Sequence, residues 1–228
     1  MNISGEYLVC NRTDAGHWFE RIVLNDRDDA IWGWILPLER PTDAPVRFSG
    51  KRVGEDRFLA RLAPRRGSWR LNGRMDGQIV WDQSGQTILT GQRRNGAAGS
   101  ALRFVGEHDP RLDIRASGIA GRGLHAHREI RAGEEITPIR GQMTRVQTPY
   151  SVRITDEQHC EPHGFIRYVN HACVANALID ASNTARPVLR AKTDIAPGDE
   201  ISFDYIENEG QIVGGFECQC DAPEHRIS

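Results

Sequence analysis

Arg167-Tyr168-Val169-Asn170-His171-Ala172-Cys173 and Gly198-Asp199-Glu200-Ile201-Ser202-Phe203-Asp204-Tyr205 are the stretches that decide how this chain is read. A third, Phe216-Glu217-Cys218-Gln219-Cys220-Asp221-Ala222-Pro223-Glu224-His225, follows near the end. Cys218 and Cys220 are one residue apart, so both sulfurs can reach a single ion where the chain turns, and His225 follows after a short spacer. Cys173 would supply a fourth ligand from a distant segment. Three thiolates and one imidazole make a closed tetrahedral set, the chemistry of structural zinc, with no position left open for catalysis. Such an ion would pin the tail against the core and contribute to local folding. The alternative is that Cys173 is a small buried residue and the tail is frayed.

The bulk properties narrow the rest. A chain of 228 residues holds one large domain or two small ones. With 39% hydrophobic and 26% charged residues it is expected to fold rather than remain disordered. The 23 glycines favour turns and short strands over long helices. Five cysteines are too few for a disulfide scaffold and odd in number, and three of them lie in the motif region, which favours metal. The longest apolar run, Ile31 to Leu38, is far short of a membrane span, and Met1 to Asn11 lacks the pattern of a signal peptide. An intracellular protein without a membrane segment is expected.

Charge is uneven. Residues 1–39 hold three arginines against seven acids, net −4, whereas residues 40–105 hold twelve arginines and Lys51 against five acids, net +8. Residues 106–228 have thirteen bases and nineteen acids, net −6. An acidic C-terminal half attracts basic peptides, and a basic middle, 40–105, attracts an anionic partner such as nucleic acid; either is equally readable as solvated surface.

Residues 1–100 read as a β-rich domain. Glu6–Asn11, Trp18–Leu24, Ala30–Leu38, Val46–Lys51, Phe58–Leu62, Ser68–Leu71, Gln78–Asp82 and Thr87–Gln92 are short aromatic or β-branched segments separated by turn residues, the pattern of a small barrel or sandwich. The five tryptophans (18, 32, 34, 69, 81) fit either core packing or an aromatic binding face. Asn95–Ser100, small and flexible in composition, is the expected linker. From Leu102 on, Ile119–Ala126, Ile136–Ile139, Ser151–Ile154, Ala177–Asp180, Val188–Ala191 and Ile201–Phe203 are strand-like. A turn of the form Ile-x-x-Gly-acid-Glu-Ile occurs twice, at Ile130–Ile136 and Ile195–Ile201. Gly121-Arg122-Gly123-Leu124 is a turn that lets backbone approach a ligand, or an ordinary β-turn; it lacks the third glycine of a dinucleotide fingerprint.

Taken jointly, these pieces resemble a SET domain, the fold of most protein-lysine methyltransferases. Gly121-Arg-Gly-Leu through Ile136 is similar to its opening. Arg167-Tyr-Val-Asn-His-Ala-Cys-Val-Ala-Asn176 resembles the family's Arg-Phe-Ile-Asn-His-Ser-Cys-x-Pro-Asn segment, and Gly198–Tyr205 its Gly-Glu-Glu-Leu-x-Phe-Asp-Tyr segment. The tail resembles the post-SET zinc motif. The order is right across about 110 residues, with residues 1–100 outside the resemblance. His225 stands where the family has cysteine, Ala172 and Ala175 replace Ser and Pro, and the stretch between Ile139 and Phe165 is short. The insert that forms one wall of the peptide groove is therefore expected to be nearly absent, and the family's substrate specificity does not carry over.

The resemblance implies a mainly β fold: a SET β-clip with a pseudoknot over 101–207, a zinc-binding tail over 208–228, and the separate N-terminal barrel or sandwich. It implies S-adenosylmethionine bound by the backbone of Gly121, Arg122, Gly123 and Leu124, the Asn170 side chain and the His171 backbone. Arg167 and Tyr168 would lie alongside, with Phe216 and Gln219 closing over the adenine. It implies structural Zn2+ on Cys173, Cys218, Cys220 and His225. Tyr205 is the implied catalytic residue, Tyr150 a second channel tyrosine, and Phe203 the position that tunes methyl number toward di- or trimethylation; taken alone, each tyrosine also reads as a half-buried core residue. The implied substrate is a lysine of a basic protein, a histone or histone-like protein. The alternatives are a non-histone target such as a translation component, or a catalytically weak binding or scaffold module.

Overall fold

The structure, a computed structural model, describes residues 2–13, 16–38, 45–63, 73–81, 86–94 and 101–222. The chain divides into two compact units, Met1–Pro110 and Arg111–Ser228.

In the first unit, β1 (Gly5–Thr13), β2 (Gly16–Arg27), β3 (Ala30–Pro37), β4 (Val46–Arg52), β5 (Arg57–Leu62), β6 (Arg74–Trp81), β7 (Thr87–Arg94) and β8 (Ala101–Glu107) form a closed barrel in chain order. Period-2 alternation does the sorting. In β3, Ile31, Gly33 and Ile35 point inward while Ala30, Trp32 and Trp34 point out; in β5, Phe58, Ala60 and Leu62 are buried. Asp28 and Asp29 both take positive φ (52° and 63°), the requirement of the two-residue type I′ hairpin that joins β2 to β3. The interior is filled by Tyr7, Ile22, Phe48, Phe58, Met75, Leu89 and Phe104 among others. Two glycines make room for it: a Cβ on Gly77 would enter the Phe58 ring, and one on Gly33 would meet the Phe48 ring and the Val23 carbonyl. The buried Arg93 guanidinium is neutralised by Glu20 at 2.8 Å, and Asn11 donates to the same carboxylate.

The barrel decides the alternative left open between barrel and sandwich. It also moves the boundary expected at residue 100. Strand β8 pairs β7 on one side and closes onto β1 on the other, with Leu8 opposite Glu107 and Arg12 opposite Arg103, so residues 101–107 belong to the barrel rather than to the following domain. The expected strand Ser68–Leu71 and the expected linker Asn95–Ser100 lie outside the described residues. The tryptophans divide: Trp18 and Trp81 pack against the core, Trp32 and Trp34 stand on the outer face, and Trp69 lies outside the described residues.

The second unit contains β9 (Leu112–Ala116), β10 (Arg122–Ala126), β11 (Glu135–Pro138), β12 (Gly141–Thr144), β13 (Val152–Thr155), β14 (Gln158–Pro162), a 3-10 turn (Phe165–Tyr168), β15 (Asn170–His171), β16 (Ala177–Asp180), β17 (Val188–Ala191), β18 (Glu200–Phe203) and a one-turn helix α1 (Tyr205–Glu209). The main sheet runs β11-β17-β16-β18-β10-β9, with β15 also on β18. The two similar turns noted in the sequence meet each other: Ile130 and Ile195, both fully buried, form a bridge, and Gly133 and Gly198 take the positive φ of their turns. The short 139–165 stretch, expected to be nearly without an insert, folds as a second sheet, β12-β14-β13. β12 is largely exposed, and β14 is buried through His159, Cys160 and Pro162 rather than through β-branched or aromatic residues, so of the three only β13 is legible from hydrophobic pattern. Among the described residues no helix is long and apolar enough to cross a membrane.

Candidate active site

The site is organised by one parallel pairing between distant segments, in which β15 lies along β18 with Asn170 opposite Ser202 and His171 opposite Phe203. This is the crossing expected of a pseudoknot. Asp204 then ends the strand. Its Oδ1 accepts from the N–H groups of Ile206 (2.9 Å) and Glu207 (3.2 Å), capping α1 and turning the chain so that Tyr205 folds back over β15. The Tyr205 hydroxyl donates to the Val169 carbonyl at 2.6 Å, and its N–H donates to His171 Nδ1 at 3.1 Å. Burial, with a smaller contribution from the Glu200 carboxylate, pushes the Tyr205 phenol well above its ordinary pKa, so it keeps its proton.

Around Tyr205 the rings of Phe203 (4.6 Å), His171 (5.3 Å) and Phe216 (5.8 Å) form one aromatic cluster, with Phe216 edge-on to His171 at 5.0 Å. Phe203 and Tyr205 line a pocket of about 50 Å3 together with Tyr150, Val169, Ile166 and Ile212. Tyr150 stands at its rim, 60% exposed, with the Arg167 guanidinium 4.0 Å from its ring centroid. Arg167 is also held by Glu161 at 3.1 Å, so its side chain sits on the Tyr150 side of the site rather than beside the glycine turn.

On the other face of β18 lies a second cluster, which motif reading did not single out. Glu200 accepts from the Ser117 hydroxyl (2.7 and 2.9 Å), the Gly118 N–H (3.3 Å) and the Asn170 amide (2.8 Å). The same Asn170 amide reaches the carbonyls of Ala120 and Arg122, both at 3.1 Å. Asn170 thus ties β15 to the Gly-x-Gly turn. Gly123 has to be glycine because a Cβ there would overlap the Glu200 carboxylate, whereas Gly121, at φ 53°, faces open space. Leu124 contributes backbone only, its side chain being fully buried in the core. Tyr168 closes the 3-10 turn just ahead of Asn170. Asn176 clamps β18 itself, donating to the Glu200 carbonyl and accepting from the Ser202 N–H. Glu200→Gln would face an amide N–H toward two donors; a stability loss of about 1.5–3 kcal/mol is expected in denaturant melts. Melts superimposable on wild type would remove Glu200 from this organising role.

The third element is sulfur. Cys173, Cys218 and Cys220 are free thiols, with Sγ atoms 3.6 Å apart for Cys173–Cys218 and 3.2 Å for Cys218–Cys220. Tetrahedral zinc with bonds of about 2.3 Å holds its sulfurs about 3.8 Å apart, so the cluster fits such an ion after small shifts. Burial raises the Cys220 thiol, but hydrogen bonds from the Cys173 and Ala222 backbone and the neighbouring thiols outweigh it and bring its pKa down to about 6. Burial, together with proton donation toward Cys220 and Cys173, pushes Cys218 up to about 11.

His171 stands with Cys173 and Cys218 as a third group of metal-ligand type. Its Nδ1 accepts the Tyr205 N–H, however, so a neutral ring carries its proton on Nε2, 3.3 Å from the Cys173 sulfur. The imidazole therefore turns its N–H toward the Cys173 sulfur instead of ligating. The expected fourth ligand, His225, lies outside the described residues. Gln219 is exposed between the two tail cysteines.

Comparison with known proteins agrees with this geometry. The family model of the SET domain matches residues 121–206. The chain is 28% identical over 136 residues to histone-lysine N-methyltransferase trr of Drosophila melanogaster, covering 50% of this chain and 6% of that protein. It is 25% identical over 256 aligned residues to the H3 lysine-4 specific histone-lysine N-methyltransferase of Cryptococcus neoformans, covering 88% of this chain and 17% of that protein. The chain thus spans only a small part of the length of these curated relatives. The Asn-His crossing and Tyr205 both lie inside residues 121–206, the segment that matches the SET domain.

Proposed function

We propose that Arg111–Ser228 transfers a methyl group from S-adenosylmethionine to the ε-amine of lysine in a basic protein, a histone or histone-like protein. The observation that carries this reading is the neutral Tyr205 at the base of a pocket it shares with Phe203 and Tyr150, beside the Asn170–glycine-turn cluster. The residues suit the donor. Open backbone at Gly121, the Asn170 amide and the Phe216–His171 aromatic pair offer a polar edge and an apolar wall. When bound, it supplies an electrophilic methyl on a sulfonium.

The chain's own part is positioning. A lysine entering a pocket walled by Phe203, Tyr150 and Ile166 loses water, which lowers its pKa and favours the neutral nucleophile. Tyr205 has committed its only proton to Val169, so its oxygen is left as an acceptor for an amine N–H. It then holds the nitrogen lone pair in line and favours the positive charge that develops there. Because that phenol stays protonated, it is not the base; the amine has to arrive neutral. The thiol cluster would carry a structural Zn2+ with His225 as fourth ligand, holding Phe216 in place.

The substrate rests on two supports: the histone-lysine methylation for which both relatives are named, and the net charge of −6 over residues 106–228, which favours basic peptides. The test is transfer of labelled methyl from S-adenosylmethionine to core histones and, in parallel, to total cell protein. Label on histones is expected. Label confined to a non-histone protein keeps the enzyme and overturns the substrate; no label on either, with the donor bound in calorimetry, favours a binding module.

Phe203 contributes no hydroxyl of its own to the pocket to hold a water in place of a methyl group, so di- or trimethyl product is expected. Phe203→Tyr should shift mass-spectrometric product distributions toward monomethyl-lysine. Monomethyl product from wild type, with higher states in the variant, would reverse the assignment.

A further inference from the structure

The outer face of the barrel carries a cleft of about 710 Å3 that the methyl-transfer reading does not use. It runs across β4 to β7, and the strand register shows its construction. Trp32 is opposite Ser49, Ser49 opposite Arg61, Arg61 opposite Arg74, and Arg74 opposite Arg94. Three arginines from three adjacent strands therefore stand in one cross-strand row, about 4.8 Å from one to the next. All three are exposed, and Lys51 lies in the same cleft.

Like charges directly opposite on neighbouring strands disfavour the fold. Among the described residues no carboxylate offsets this row. The acid in the cleft, Asp76, is gripped by Arg57 through two hydrogen bonds of 3.0 and 2.7 Å, and that contact lowers its pKa. A row of cations kept at a cost to stability is what an anionic ligand would neutralise. At the end of the row, Trp32 and Trp34 are 37% and 45% exposed, unusual for indoles with a barrel core within reach.

We propose that this face binds single-stranded nucleic acid, with Arg61, Arg74, Arg94 and Lys51 on the phosphates and Trp32 and Trp34 offering faces on which bases stack. An acidic peptide would satisfy the cations but leave the indoles without partners. A duplex would present phosphates but keep its bases away from them. Basic residues interleaved with exposed aromatics are the combination that single strands select. Among the described residues the cations lining the cleft are exposed arginines and Lys51 suited to phosphates, so sequence-tolerant binding is expected.

The test uses the full chain and a fluorescent oligothymidylate of about 15 nucleotides, read by anisotropy over a salt series. With three to four phosphates neutralised, log K should fall against log salt with a slope of about −2 to −3. Arg74→Ala should flatten that slope by about 0.7 and melt no lower than wild type, since it relieves the row. Trp32→Ala should weaken binding roughly five- to hundredfold with the slope unchanged. Absence of binding at about 50 mM salt overturns the proposal. So does polyglutamate competing as well as the oligonucleotide, or duplex binding as tightly as single strand while Trp32→Ala is neutral. None of these readouts depends on methyl transfer, so failure here leaves the active-site reading intact.

Discussion

Tyr205→Phe should lower the rate of methyl transfer by roughly 10²- to 10³-fold, the range found when one preorganised polar group is removed from a reacting centre. The substitution deletes a single oxygen. The ring remains among Phe203, His171 and Phe216, and the backbone N–H that bonds His171 Nδ1 is untouched, so the site should keep its shape. The loss therefore has to appear in turnover, with donor affinity in calorimetry staying within a few-fold of wild type. Phenylalanine also leaves the Val169 carbonyl without its 2.6 Å donor, which adds a stability cost of about 1–3 kcal/mol that a melt would register. A variant that retains full turnover would mean that the pocket methylates without this hydroxyl, or that the substrate amine lies elsewhere.

Removal of the metal is expected to rank second in effect. Cys220→Ser, or chelation of the wild-type protein, should abolish bound zinc in elemental analysis and release the tail to protease within residues 210–228. The remainder of the unit has its own sheets and should stay folded, so the melting temperature should fall without the transition being lost. Activity should drop by roughly 10²-fold, because Phe216 no longer packs on His171 and Tyr205 and small misplacement at a reacting centre is costly. Wild-type protein that carries no zinc yet resists protease at the tail would dismiss the metal and leave the three thiols as a hydrogen-bonded cluster. His225→Ala tests the fourth ligand separately and should weaken zinc retention alone.

Much of this architecture is legible in the sequence, for a physical reason. In the barrel, β3 and β5 bury alternate residues, so hydrophobic alternation announces them, while β1 shows instead as a short apolar run, Tyr7 to Cys10. β8 is hidden from such a reading because Ala101-Leu-Arg-Phe-Val-Gly-Glu follows directly on a Gly-Ala-Ala-Gly-Ser run and reads as the start of something new. β12 and β14 escape a hydrophobic reading because Gly-Gln-Met-Thr is largely exposed and Gln-His-Cys-Glu-Pro buries Cys160 and Pro162, neither of them a β-branched or aromatic strand former. β15, two residues long, exists only through its partner β18. At the site, Asn170, His171, Phe203, Tyr205 and the cysteines could be named from motifs. The convergence of Ser117, Asn170 and Glu200 could not, since it joins three segments through side chain and backbone contacts that no local spacing encodes. That acid inside Gly-Asp-Glu-Ile was the available signal, hidden in what looked like turn chemistry.

The closing of the barrel by β8 has a bearing on synthesis. While the ribosome is still extending the chain through residue 100, β1 and β7 are both raw edges, each offering a row of unpaired N–H and C=O groups to any neighbouring strand. Only when Ala101–Glu107 emerges can those edges be sealed at once, by the same seven residues. A nascent or proteolysed chain ending at 100 is therefore the aggregation-prone species, and one ending at 107 is the shortest N-terminal fragment with both edges paired.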